Sequence, residues 1–395
     1  MPIASQRGRG DERAALLPPE TLSLFDDAFV RSCDLIEEYM ARLALQVFRS
    51  TGLEQACNEA VTIEEAVAHA GLEPSVARVP VTWLLATLES RGWTERDAES
   101  NGEPRYRNAR ALPELDPEEV ARAQAVHDAR CLPSYRIAAL AAQHYPAVLR
   151  GETTGEETLF ALERIGAWLE YFSNANPLYA ISNAIGAIAA ERALQNGGGA
   201  ILELGAGLGS AAEALLERLK ASGREAEVAS YHCTEIAPPF LRRAKKALAA
   251  RFPHLSLAFG LLDIDRPFEE GGVAPGAYSV VYCVNVLHIA RDLAATLGEV
   301  RTALAAGGAL VATECMRPFA GQPIHVEFVF NLLQSFRDVV FVPAWRSNGG
   351  FLTPEQWIAA LQANGFADVK IFPDVVAIRA AYPQFLVAAI VARRA

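Results

Sequence analysis

The stretch Ala200-Ile201-Leu202-Glu203-Leu204-Gly205-Ala206-Gly207-Leu208-Gly209-Ser210 decides the fold. An apolar run of strand length carries one acid and ends in three glycines at alternate positions. Such glycines let the chain turn sharply and bring its backbone against a ligand, while the following helix presents its N-terminus there. That helix is expected at residues 211–220. The alternation then repeats, with strands expected at 228–233, 255–262, 278–284 and 309–312 and helices at 238–250 and 293–305. Short apolar runs alternating with amphipathic helices predict a doubly wound parallel α/β sheet.

Acids follow the strands in register. Glu235 comes after the second, where a carboxylate can accept both hydroxyls of a ribose. Asp263 closes the third, in Leu261-Leu262-Asp263-Ile264-Asp265, within reach of an adenine amino group. With Glu203, three consecutive strand ends carry a carboxylate. The glycine loop alone suits any nucleotide-like cofactor, and Ser210 stands where a nicotinamide-dinucleotide fingerprint wants Gly or Ala.

Upstream, residues 1–20 read as a loose tail ending at Pro18-Pro19, and residues 21–51 have helical apolar spacing. Thr62-Ile63-Glu64-Glu65 opens a helix with a capping box, Gly71 stops it, and Pro74-Ser75 opens another. Arg91-Gly92-Trp93-Thr94, a turn at Asn101-Gly102 and Tyr106 then outline a hairpin, so residues 21–115 read as a winged-helix-like domain. Residues 75–90 hold one cation, Arg78, a poor surface for phosphates, and dimerisation is the expected use. Residues 116–190 read as a helical lid or linker with aromatics at Phe160, Trp168, Tyr171, Phe172 and Tyr179. The cofactor domain is expected at 191–395.

Composition narrows the classes. Over 395 residues, 36 Lys+Arg against 47 Asp+Glu give a net charge of −11, which argues against a nucleic-acid binder. No uninterrupted apolar run approaches a membrane span, and the N-terminus lacks the apolar core of a secretory signal. The six cysteines are scattered without a C-x-x-C pair, so reduced thiols in a cytoplasmic protein are expected, with no metal site. His325 and Glu327 lack an identifiable third ligand.

The segments ILELGAGLGS, YHCTEIAPPFLRRAKKAL, LLDIDRP, YSVVYCVNVLHIARDLAATLGEVRTAL and AGGALVATE resemble class I S-adenosylmethionine-dependent methyltransferases, which have a Rossmann-like domain. Within that superfamily they are most similar to the C-methyltransferase domains of polyketide synthases. YPAVLRGE (145–152) resembles the lid segment of those domains, and GFLTPEQWIAALQANGFADVKIF their last helix and strands. The resemblance covers residues 130–395, and the N-terminal part resembles the dimerisation region of small-molecule O-methyltransferases.

The resemblance implies S-adenosyl-L-methionine as cofactor, with Glu203, Gly205 and Gly207 at its methionine part and Glu235 at the ribose. Asp263 and Ile264 would meet the adenine, and Asn285 would lie beneath the sulfonium. His288, in Asn285-Val286-Leu287-His288, follows the fourth strand, and Glu314 ends the fifth. In the family these strands are neighbours, so both side chains emerge at the ligand-binding edge. A carboxylate beside an imidazole fixes its tautomer and makes it a general base. The family's dyad removes an α-proton from a β-ketoacyl group. Tyr179 and Asn183 are candidates to complete the substrate pocket.

Methylation of a small-molecule or acyl, polyketide-like substrate at an acidic carbon is therefore expected. The substrate would be a small molecule or an acyl thioester, carrier-bound or free, and the protein a homodimer. An oxygen acceptor is the alternative. A cofactor-sensing winged-helix regulator and a nicotinamide-dependent oxidoreductase are rivals from other classes.

Overall fold

The computed structural model describes residues 13–97, 103–109, 111–194 and 199–395. The chain parts into two compact units: residues 30–171 with 321–338, and the remainder.

The first unit is mainly helical. Helix α1 (Asp27–Ser50) lies largely within it and buries one stripe, including Ile36, Met40, Leu43, Val47 and Phe48. Helix α2 (Ile63–His69) starts at the expected capping box: the Glu65 amide donates to Thr62 Oγ1 at 3.1 Å and the Thr62 amide to Glu65 Oε2 at 2.9 Å. Helix α3 (Pro74–Ser90) begins on a proline, whose missing N–H would have lacked a helical partner anyway. Strands β1 (Thr94–Asp97) and β2 (Arg105–Asn108) follow as an antiparallel pair. The turn expected at Asn101-Gly102 lies outside the described residues.

Helix α4 (Leu132–Leu149) anchors this unit. Tyr145 stacks on Phe328 at 4.8 Å and donates its hydroxyl to the Phe328 carbonyl, which ties residues 321–338 into the helices. Trp168 is buried, donates to the Leu159 carbonyl at 2.6 Å and stacks on Phe160.

The second unit holds a seven-stranded sheet. Its strands are β3 (Gly199–Leu204), β4 (Val228–Glu235), β5 (Leu257–Leu261), β6 (Tyr278–Val284), β7 (Leu304–Cys315), β8 (Phe366–Phe372) and β9 (Val387–Arg394). Their order is β5-β4-β3-β6-β7-β9-β8. The five strands β5 to β7 are parallel, as expected, but β9 runs antiparallel between β7 and β8, so the sheet is mixed. One face packs Leu202, Leu204, Val281, Leu310 and Ile390 with Leu297, Val300, Trp357 and Leu361.

Helix α5 (Pro177–Ala193), read from the sequence as part of the lid, instead packs on this sheet against β6, β7 and β9. Its small buried residues allow that closeness. Of the expected tail, residues 1–12 lie outside the described residues. Arg13 is buried and donates to the Phe25 carbonyl at 2.7 Å, and Phe25 packs on Phe385.

At Gly186 of α5 a Cβ would sit 2.5 Å from Thr313 Oγ1 and 2.7 Å from the Tyr282 hydroxyl. Gly186→Ala must therefore push the helix off the sheet or displace two fully buried side chains. It should destabilise by about 1–3 kcal/mol, read as a lower midpoint in thermal unfolding.

Candidate active site at the carboxyl edge of the sheet

Beyond the carboxyl ends of the parallel strands the topology gathers Glu203, Glu235, Asp263 and Glu314. Gly205 has φ +62°, and a Cβ there would meet Val286 Cγ2 at 2.6 Å, so only glycine permits this turn. Gly207 has φ +54° and open space where a Cβ would stand. Its amide donates to Glu235 Oε2 at 2.8 Å, and the Ala237 amide donates to Oε1 at 2.9 Å. Glu235 thus holds the glycine loop, while burial pushes its carboxyl above the usual range.

Glu203 is 1% exposed, and its Oε2 lacks a well-formed hydrogen-bond partner. Burial raises its pKa to about 7, against the partial counter-effect of the Tyr231 hydroxyl and the Cys233 thiol. Tyr282 and Thr313 lie on the same face by strand alternation, and their buried hydroxyls also lack partners. Tyr179, on α5, is half-buried, and the charges of Glu203, Glu235 and Glu314 all bear on its hydroxyl. Asn183 donates to Asn174 Oδ1 at 2.8 Å, and Asn174 in turn donates to the Ser210 carbonyl at the start of the next helix.

Asp263 stands two residues beyond β5, and its Oδ1 accepts the Asp265 amide at 3.0 Å. It lines a cleft of about 220 Å³ with Ile236, Leu261 and Leu262. Ile236 and Leu261 expose large apolar surface there, being 62% and 53% accessible. Ile264 gives its carbonyl to Thr296 Oγ1. A larger groove, about 1030 Å³, lies in the helical unit and is lined by none of these candidates.

Asn285 has φ +55°, donates its amide to the Thr313 carbonyl at 2.7 Å and accepts the Cys315 amide on Oδ1 at 3.1 Å. It clasps the ends of β6 and β7. Glu314, on β7, is fully buried. Its Oε1 accepts the amides of Leu287 at 2.8 Å and Val286 at 3.2 Å, and its Oε2 lies 2.6 Å from His288 Nδ1. The imidazole packs against Phe351 with ring centroids 4.2 Å apart. With the carboxylate on one side, Nδ1 carries the proton and Nε2 the lone pair.

Two residues that sequence reasoning missed belong here: Phe351, against the imidazole, and Arg346, fully buried beneath the same turn. Glu327, paired with His325 in the sequence reading, accepts the Ile324 amide at 3.0 Å.

Because burial raises Glu203 from about 4.5 to about 7, the folded state of the ligand-free protein holds its proton longer than the unfolded chain does. Stability then falls as pH rises from about 4.5 through 7 on account of this group. Glu203→Gln should flatten that slope, as thermal melts at pH 5 and pH 7.5 would register.

Comparison with known proteins follows the same edge. The family described as a methyltransferase domain matches residues 202–310. The reducing polyketide synthase Preu2 of Preussia isomera is 29% identical over 225 residues, 56% of this chain and 9% of that protein. The methyltransferase calH of Penicillium decumbens is 32% identical over 212 residues, 52% of this chain and 51% of that protein. The chain thus spans about half of the length of one of these relatives and about a tenth of the other. The crystal structure of the CurJ carbon methyltransferase matches with a TM-score of 0.75 and 22% identity, over 98% of this chain and 97% of that one. The trans-methyltransferase CalH, in complex with SAH, matches with a TM-score of 0.62 and 21% identity, over 94% and 92%. The matched family and the seven-stranded sheet agree, and the chain carries a class I, S-adenosylmethionine-dependent methyltransferase domain.

Proposed function

We propose that the protein methylates an acidic carbon of a small acyl substrate, with His288 as general base and Glu314 as its partner. The observation that carries this reading is the 2.6 Å contact between Glu314 Oε2 and His288 Nδ1 at the ligand-binding edge of the sheet. Polyketide synthases among the relatives support an acyl acceptor such as a β-ketoacyl thioester.

The residues present fit the cofactor. Glu203 brings a buried oxygen lacking a partner, suited to an ammonium group, and Gly207 leaves open room above the loop. Glu235 offers carboxylate oxygens for ribose hydroxyls, and the cleft of Ile236, Leu261 and Asp263 offers apolar walls and an acceptor for adenine. S-adenosylmethionine, when bound, supplies an electrophilic methyl group on a sulfonium and leaves as S-adenosylhomocysteine.

His288 Nε2 would take the proton from the acceptor carbon, leaving the carbon electron pair as nucleophile. The Glu314 carboxylate stabilises the imidazolium so formed and keeps the ring from turning. Tyr179 brings a half-buried hydroxyl near the same acids and would donate it to the enolate oxygen. The imidazolium then returns its proton to solvent.

His288→Ala should lower turnover about 10²–10⁴-fold while the dissociation constant for S-adenosylmethionine, by calorimetry, stays within about twofold. Undiminished turnover would remove the base from the mechanism. Glu235→Ala should weaken cofactor binding, and an unchanged affinity would exclude the ribose role. Mass spectrometry and NMR of products from acyl thioesters, β-keto acids and phenols decide the acceptor: a new C–CH3 signal supports this reading, and an O–CH3 signal overturns it.

A further inference from the structure

The turn that carries His288 has little structure of its own, a three-residue 3-10 stretch from Leu287 to Ile289. Buried main-chain groups need partners, and here side chains supply them. Glu314 takes the amides of Val286 and Leu287. Asp265 Oδ1 accepts the Arg291 amide at 2.8 Å. The Val286, Leu287 and Arg291 carbonyls accept main-chain amides, and the His288 and Ala290 carbonyls accept from Arg346, Nη2 at 2.9 Å and Nη1 at 2.6 Å respectively. A longer contact of 3.4 Å joins Nη1 to Arg291 O.

A fully buried guanidinium is an expensive group to place. Burial lowers its pKa to about 10, so it stays charged at neutral pH, with Asp265 and Asp292 as the nearby opposite charges. Its guanidinium donates to carbonyls of this one turn, while its main chain forms a tight turn with Val342. Five residues on, Phe351 packs its ring on the imidazole. The segment from Arg346 to Phe351 therefore holds His288 both by its backbone and by its ring. It lies outside residues 202–310, the portion matched to the methyltransferase family.

We propose that Arg346 is a positioning residue for the His288 base. By gripping the His288 and Ala290 carbonyls it fixes the direction in which Nε2 is presented, and Asp265 holds the same turn from its exposed side. A planar fork reaches two carbonyls at once, which a single ammonium group does less well. The proposal rests on the reading of His288 as the base.

The test uses the full chain with acetoacetyl-N-acetylcysteamine as acceptor probe and two variants, Arg346→Lys and Asp265→Ala. Arg346→Lys should lower kcat about 10–100-fold while KM for S-adenosylmethionine and for the thioester stays within about twofold. The low-field proton resonance of His288 Nδ1, assigned by its loss in His288→Ala, should shift or broaden. Asp265→Ala, at an exposed side chain that leaves the fold intact, should show the same split with a smaller loss. Wild-type kcat and an unmoved resonance in Arg346→Lys overturn the proposal. If that variant does not fold, the same result in Asp265→Ala overturns it. A moved resonance with unchanged kcat keeps Arg346 as the anchor of the turn and sinks the base reading instead.

Discussion

The buried carboxylate of Glu314 is the interaction on which the site depends. A carboxylate removed from water is tolerated only when strong donors replace its hydration. Three donors do so here: two consecutive amides on one oxygen and the imidazole on the other. The amides set where the turn leaves β6, and the imidazole is set relative to that turn. Asn285 reinforces the arrangement by clasping the ends of β6 and β7 with its amide and its side chain. One acid thus fixes loop path, ring orientation and tautomer together.

The opposite face of the same edge is built differently. Glu203, Tyr231, Tyr282 and Thr313 bury polar atoms without well-formed partners, and α5 lies against them at its smallest residue. Unsatisfied buried groups are costly, so a cluster of them at a ligand edge is a place where a ligand's polar groups gain most. The two faces divide the labour: Glu314 is saturated by the protein itself, whereas Glu203 is left with capacity to spare.

Much of this was legible in the sequence because it rests on local pattern. Apolar runs of strand length, the glycines at 205, 207 and 209, and acids at three consecutive strand ends point to one edge for Glu203, Glu235 and Asp263, and the family resemblance adds Glu314 to it. What escaped has physical reasons. An apolar run such as Leu386-Val387-Ala388-Ala389-Ile390 carries no sign of direction, so the antiparallel insertion of β9 was hidden. Arg346 was missed because its partners are carbonyls, which every residue possesses. Residues 177–190 fall by position along the chain within the lid or linker stretch, although their small residues, Gly186, Ala187 and Ala190, suit close packing on a sheet.

The place of β9 has a consequence for biosynthesis. Ala388 pairs with Glu314, so the strand that bears the carboxylate gains its second hydrogen-bonded neighbour from residues synthesised some seventy positions later. Until β9 emerges from the ribosome, β7 is an open apolar edge able to pair with another chain. The nascent protein must cross an interval in which its parallel strands are present while the edge beside Glu314 is unfinished and adhesive. Chain order alone therefore makes β9 the step that both covers that edge and completes the scaffold behind Glu314.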